Sequence, residues 1–234
     1  MFLEMATKIQ GLDSLLRQMQ KGYLLSNYIS TTPFFWQGDA SSMSQGPGRA
    51  AGSFPKLLWS LNIFLVTANG IFVTIRCLQN STDPSASSLI QVYMQFAFIF
   101  YFYAVILQVS NFVSRDELAV FVRRYLRCMC KALAETNGSF PLMLRLCPKF
   151  LFLLRTWVLT VPLFGACLAY LNPKSPEMWS SVFERPEELP WICRAFFMTL
   201  QAYVMLLLTD VGTLWVSSMF PFILFAMDLL KFLE

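Results

Sequence analysis

Four long apolar stretches dominate the pattern of hydrophobic and polar positions along the chain. They cover about residues 57–75, 89–113, 150–171 and 195–227. The shortest has nineteen residues, and an α-helix of that length is about 28 Å long, close to the roughly 30 Å hydrocarbon core of a bilayer. The sequence therefore predicts an all-α, polytopic membrane protein with four transmembrane helices.

The first 56 residues are organised differently from the bundle predicted over residues 57–234. Within residues 2–29, apolar positions recur at alternating steps of four and three, which places them on one face of a helix. They are Met5, Ile9, Leu12, Leu16 and Met19. We expect this amphipathic cytoplasmic helix to lie on the membrane surface or on the bundle, with recruitment of a partner as the alternative. Residues 37–55 combine Gly, Ser and Pro as a flexible linker does.

Two connections between the spans carry their own signals. Ser114 and Glu117 have the spacing of a capping box, and Asn137-Gly138 is a helix-stop signal. Together they predict a basic cytoplasmic helix from about residue 115 to 134. The later connection, residues 172–194, carries four prolines, two tryptophans and mixed charge. That composition predicts an ordered cap at the membrane interface rather than a helix.

Composition narrows the function classes. The chain is 56% apolar, 16% aromatic and only 14% charged, whereas soluble domains carry about 25% charged residues. The lipid bilayer is therefore its expected partner, and the dispersed net charge of +4 does not suit a nucleic-acid surface. The chain contains no histidine, the commonest general base and metal ligand. We predict no catalytic residue, no metal site and no cofactor, and we do not expect an enzyme.

The cysteines suit neither a zinc site nor a disulfide framework, because the six of them lack paired C-x-x-C spacing. Cys77 and Cys193 are both expected near the outer boundary, so a disulfide between them is conceivable. Two free thiols are favoured, because nothing in the sequence brings the two positions within the required Cα separation of about 4.4–6.8 Å.

The distribution of basic residues predicts the orientation. Alternate compartments hold thirteen and four of the Lys and Arg residues, with Arg155 inside a span. Basic residues are retained on the cytoplasmic side, so both termini and the 114–149 connection are expected in the cytoplasm, at the plasma membrane. The sequon Asn80-Ser81-Thr82 lies in the first outer connection and is a candidate for glycosylation. A second match, at Asn137, lies on the predicted inner side and lowers the weight of this cue.

This layout resembles the first four helices of the insect-type odorant and gustatory receptor superfamily. The shared features are the cytoplasmic amphipathic helix, the short first outer loop, the basic inner helix, the Pro/Trp-rich second outer loop and the long fourth helix. The resemblance implies a ligand-gated cation channel subunit with seven helices, assembled as a tetramer, with its pore on the seventh helix and its odorant pocket in the outer half of the bundle. The chain ends at LLKFLE, before the last helices of that family, so it is expected to be either a partial receptor without the pore helix or a four-helix protein of another kind.

The receptor hypothesis assigns a pocket for a small apolar ligand to the outer half of the bundle, with homo- or hetero-oligomers formed through the spans. Three candidates on the second span fall at steps of three and four and share a face, and three lie on the outer halves of the third and fourth spans. They are Tyr93, Phe96, Phe100, Tyr170, Gln201 and Met205. The alternative is that these side chains face lipid or fill contacts between helices.

A small transporter or accessory membrane protein is the competing function. It requires polar groups inside the spans, and Arg155, Gln201 and Asp210 are the candidates. Arg155 and Asp210 are expected at about the same depth, roughly 8–9 Å from the cytoplasmic boundary. We therefore predict an ion pair between them. The alternative is that Arg155 snorkels to the headgroups and Asp210 lines a wet vestibule.

Overall fold

The computed structural model of the protein describes most of the chain. The described residues are 12–29, 35–36, 43–44, 53–82, 87–114, part of 117–132, and 140–233. Five long helices account for most of them. They are α1 Leu12–Ile29, α2 Ser53–Thr82, α3 Ser88–Val113, α4 Pro141–Leu171 and α5 Trp191–Leu233. The helices α2 to α5 are long and apolar enough to cross a membrane, which confirms four candidate spans in a helical protein.

The helices extend beyond the apolar stretches that predicted them. The helix α2 continues to Thr82, through part of the connection expected to be polar loop, and α4 begins nine residues before Phe150. In the first turns of α4, Met143 and Cys147 are buried whereas Arg145 is exposed. Charged residues therefore end the apolar run without ending the helix, because they occupy its exposed face.

The segment predicted to be a flexible linker contains some regular structure. Two strands of two residues each, β1 Phe35–Trp36 and β2 Met43–Ser44, pair in antiparallel fashion. The helix α2 already begins at Ser53. Residues 43–44 and 53–55 therefore have regular secondary structure, the rest of 37–55 lies outside the described residues, and the flexible linker stays a prediction.

Both connections with distinctive sequences have the predicted character. Every described residue between 117 and 132 is helical, in agreement with a helix predicted over 115–134, which we call the basic helix. The stop signal at Asn137-Gly138 lies outside the described residues. Between α4 and α5 the chain forms two short 3-10 helices, Trp179–Val182 and Pro186–Glu188. Residues 172–190 of this segment are ordered and contain no α-helix, and we call them the cap. The prediction is wrong for residues 191–194, which already belong to α5.

The chain divides into two compact units. The terminal unit comprises Met1–Trp59, Ser110–Thr156 and Val211–Glu234, and the loop unit comprises Ser60–Val109 and Trp157–Asp210. Each unit thus collects segments that are distant in the sequence.

The amphipathic helix α1 packs into the core of the terminal unit. Leu15, Met19 and Tyr23 are almost fully buried and join a cluster with the basic helix, α4 and α5. The buried face is rotated slightly from the predicted one, since Leu16 is only partly buried. Met5, Ile9 and the side chain of Leu12 lie outside the described residues. This burial favours packing of α1 on the bundle over a position on the membrane surface.

One buried hydrogen bond fastens α1 to α5. The hydroxyl groups of Tyr23 and Ser218 lie 2.8 Å apart, and burial raises the pKa of Tyr23 from its ordinary value of 10.0 to about 12. We expect Tyr23→Phe to lower the free energy of unfolding by about 1 kcal/mol, the usual net value of a hydrogen bond. Thermal unfolding in detergent measures this, with Tyr28→Phe as control because Tyr28 is 88% exposed on the same helix.

The same contact predicts a dependence on alkaline pH. Because the folded state raises the pKa of Tyr23, its contribution to stability is complete below pH 10.0 and is lost as the pH rises towards about 12. The difference in stability between wild type and Tyr23→Phe should therefore shrink across this interval. An unchanged difference would mean that Tyr23 ionises as easily in the folded state as in the unfolded one.

Candidate functional site

The cap of the loop unit is held by side chains from α2. The guanidinium group of Arg76 donates to the backbone oxygen of Ser181 at 3.0 Å and to its hydroxyl oxygen at 2.8 Å. Its Nε also donates to the carbonyl oxygen of Pro176 at 3.4 Å. Because one planar cation donates to three acceptors of the cap, the middle of the cap is fixed against the end of α2.

A tryptophan provides a second anchor. The indole Nε1 of Trp179 donates to Oδ1 of Asn69 at 2.7 Å, and the indole ring stacks on Phe72 with centroids 4.7 Å apart. The cap thereby inserts an aromatic side chain beside the α2 residues that precede Arg76. Such a contact fixes position as well as orientation, since the ring and its N–H group are both engaged.

Glu177 is the buried acid of the cap. Its side chain is only 3% exposed, and the hydroxyl of Tyr93 on α3 donates to its Oε1 at 2.8 Å. The hydroxyl of Ser175 donates to the other carboxylate oxygen. Among the described residues, no basic side chain pairs with this carboxylate. A buried acid without a cation is costly, which makes Glu177 the first candidate for a functional residue.

A cavity lies beside this carboxylate, between the cap, the start of α3 and the end of α4. It has a volume of about 510 Å³, within the range of about 300–1,000 Å³ typical of small-molecule sites. Its lining combines apolar side chains with the polar groups of the cap. The lining residues are Leu89, Ile90, Tyr93, Leu168, Asn172, Lys174, Ser175, Pro176, Glu177 and Met178.

Of the six predicted pocket residues, Tyr93 lines this cavity and the other five do not. Phe96 is 69% exposed, and Phe100 and Tyr170 are also exposed. The guanidinium of Arg194 lies 5.1 Å from the centre of the Tyr170 ring. The exposure of these three rings agrees with the alternative hypothesis, in which aromatic side chains of the spans face lipid.

Gln201 and Met205 lie in the interior of the loop unit, next to Tyr101. The Tyr101 hydroxyl donates to Sδ of Met205 at 3.9 Å, and the side-chain amides of Gln201 and Asn69 lie near the same hydroxyl. Gln201 is 1% exposed, and neither of its amide atoms makes a hydrogen bond of good geometry with a described residue. These residues form a polar cluster inside apolar helices.

Sequence reasoning missed other buried polar residues of the loop unit. Asn62 accepts a hydrogen bond from the hydroxyl of Tyr203 at 2.7 Å, and Gln108 is buried with no partner for its amide among the described residues. Tyr101 and Gln108 are seven residues apart on α3, so they lie on one helical face. A search for polar residues at helical spacing would have found this face.

Arg155 and Asp210, the predicted ion pair, belong to different units. In the terminal unit, Nη1 of Arg155 donates to Oε1 of Gln18 on α1 at 3.0 Å, and the guanidinium lies 5.5 Å from the ring of Phe152. In the loop unit, Asp210 is 2% exposed. The ion pair stays a prediction.

The remaining predicted positions are Asn80, Cys77 and Cys193, which lie near the ends of α2 and α5 that adjoin the cap. The side-chain amide of Asn80 donates to the carbonyl oxygen of Arg76 at 3.0 Å, within the last turns of α2, and its glycosylation stays a prediction. Cys77 and Cys193 are free thiols, as the spacing argument favoured.

The terminal unit has a cavity of its own. It has a volume of about 620 Å³ between the basic helix and α5, and Phe121, Tyr125 and Phe222 are among its lining residues. Glu117 and Arg124 also line it, and both are exposed. Because these charges remain in contact with solvent, the described residues that line this cavity include no buried charged group comparable to Glu177. The cavity of the loop unit is therefore the stronger candidate site.

Comparisons of the chain with protein-family models, with curated proteins and with solved structures gave no match.

Proposed function

We propose that this chain is a ligand-binding subunit of a multi-pass membrane receptor, similar to the odorant and gustatory receptors that its layout resembles. It binds a small, largely apolar molecule in the cavity of the loop unit. Both termini face the cytoplasm and the cap faces the outside of the plasma membrane. A ligand from outside the cell then reaches the cavity without crossing the bilayer.

The observation that carries this proposal is a cavity beside an ordered cap. Leu89, Ile90 and Leu168 give the cavity apolar walls, and Tyr93 and Glu177 provide polar groups at fixed positions. Binding sites for small molecules have this composition, in which apolar contacts supply affinity and a few polar groups fix orientation. The hydrogen bonds from Arg76 and Trp179 to their partners hold the cap in place.

A protection experiment tests the proposal. In a cysteine-free chain reconstituted in nanodiscs, Ile90→Cys introduces a thiol at the cavity, and Val182→Cys introduces one at an exposed position of the cap that does not line the cavity. We expect 1-hexanol to slow modification of the thiol at position 90 by a methanethiosulfonate reagent by at least about fivefold, because the bound molecule shields it. Modification at position 182 should change by less than about twofold.

Two outcomes would contradict the proposal. If hexanol does not slow modification at position 90, the cavity does not bind a small apolar molecule. If it slows both positions equally, the alcohol acts through the lipid rather than through the cavity. A normal unfolding transition, measured before the thiol is modified, confirms that each variant is folded.

The buried amide side chains of the loop unit support a second candidate function, a small transporter. Asn69, Gln108 and Gln201 are all buried, and each has a side-chain amide nitrogen without a hydrogen-bond partner among the described residues. Within a membrane such groups usually line a path for water or a solute. Uptake of protons or small polar solutes by proteoliposomes distinguishes the two functions, since a receptor subunit that only binds ligand carries none.

A further inference from the structure

We propose that the cavity of the loop unit selects small aliphatic amines, whose ammonium group pairs with Glu177. This inference rests on the proposed function, because it names the ligand class of the same site. It goes further because a pocket for neutral apolar ligands does not require a buried acid.

The carboxylate of Glu177 has room for another donor. An ionised carboxylate offers about four acceptor positions, and the hydroxyls of Tyr93 and Ser175 occupy two of them. Glu177 also lines the cavity. A ligand ammonium group carries three N–H donors and a full positive charge, so it completes the carboxylate's hydrogen bonding and neutralises the buried charge in one contact.

The basic residue of the cap that lines the cavity is already paired. Lys174 also lines the cavity, but its Nζ lies 2.7 Å from Oε1 of Glu187, and both side chains are largely exposed. The hydrogen bond from Lys174 lowers the pKa of Glu187, as expected for an acid next to a cation. Within the described part of the cap, Glu187 thus pairs with a lysine, whereas the buried Glu177 has hydroxyl groups as its partners.

The apolar walls define the rest of the ligand. Leu89, Ile90 and Leu168 line the cavity together with the carboxylate, so an alkyl chain can contact them while the ammonium group reaches Glu177. Tyr93 contributes its ring to the same wall, and aromatic faces attract cations. A primary amine with about six carbons combines these features and fits well within a cavity of about 510 Å³.

The test compares 1-hexylamine with 1-hexanol in the protection experiment with Ile90→Cys. Both probes have the same chain length and differ in charge at neutral pH. We expect half-maximal protection by hexylamine at a concentration at least about tenfold lower than by hexanol, the order of magnitude for a buried charge pair. Adding Glu177→Gln should remove this preference, whereas Glu184→Gln, which removes an exposed acid of the same cap that does not line the cavity, should leave it unchanged.

The outcomes separate the two proposals. Protection by hexanol with no preference for hexylamine overturns the amine proposal and leaves the binding function standing. Protection by neither probe overturns both. If Glu177→Gln does not fold, the comparison of the two probes on the chain that retains Glu177 still decides the matter. A preference that survives in a folded Glu177→Gln variant shows that Glu177 only fastens the cap to α3.

Discussion

Gly70→Ala is expected to destabilise the loop unit by about 1–3 kcal/mol, the usual cost of overpacking a core. A Cβ atom at position 70 would lie 2.8 Å from Cγ2 of Val105, closer than nonbonded carbon atoms approach. Val105 is β-branched and short, so its side chain cannot turn away, and the helices α2 and α3 must separate. Small residues allow such close approach between helices in membranes. Unfolding of the purified protein in detergent measures the loss.

Two further variants show whether the effect comes from this contact. Gly212→Ala meets nothing within 4 Å, so it should leave stability unchanged or raise it by up to about 1 kcal/mol, because alanine favours helix. The double change Gly70→Ala with Val105→Ala should recover part of the loss, since it removes the clashing methyl groups. Equal destabilisation at positions 70 and 212 would contradict the packing argument.

Asp228→Ala is expected to destabilise the terminal unit by about 1–3 kcal/mol. The carboxylate of Asp228 accepts a hydrogen bond from the backbone N–H of Met143 at 2.9 Å, and this N–H lies in the first turn of α4. The first N–H groups of a helix lack partners within the helix, so a carboxylate from α5 acts as a cap from another part of the chain. Because Asp228 is buried, its removal leaves the N–H of Met143 without an acceptor in a place that water does not readily reach. An unpaired buried N–H lowers the free energy of unfolding.

Asp228→Asn is the matched control, because its amide oxygen retains an acceptor of similar shape. It should lose less than half as much stability as the alanine variant, measured by the same unfolding experiment. Its remaining loss reports the attraction between the carboxylate charge and the positive end of the helix. If the two variants were equally destabilised, the hydrogen bond to Met143 would not be the reason for burying Asp228.

The sequence predicts the elements of this fold better than their contacts. Long apolar runs identify the four candidate spans, because a helix of that length and composition has few alternatives. They do not identify the inward face of α3, because apolar residues occur on every side of this helix. The shared spacing of Tyr93, Phe96 and Phe100 is correct as geometry, but these side chains are exposed, whereas Tyr101 and Gln108 lie on the buried face.

The key acid of the candidate site had no local signal. Glu177 lies in a connection of mixed charge, where an acidic residue is usually solvated. Its partner Tyr93 is 84 positions away in the sequence, and only the folded chain brings the two together. By contrast, the prolines and tryptophans of residues 172–194 predicted an ordered cap, because proline prevents a helix and tryptophan tends to be anchored.

The most direct test of the account is the side of the membrane on which the cap lies. Glu184 in the cap and Arg127 in the basic helix are both exposed, so single cysteines at these positions in a cysteine-free chain are accessible to reagent. With a membrane-impermeant maleimide on intact cells, the account predicts labelling of Glu184→Cys at once and of Arg127→Cys only after permeabilisation. Labelling of Arg127→Cys from outside, with Glu184→Cys protected, would contradict it.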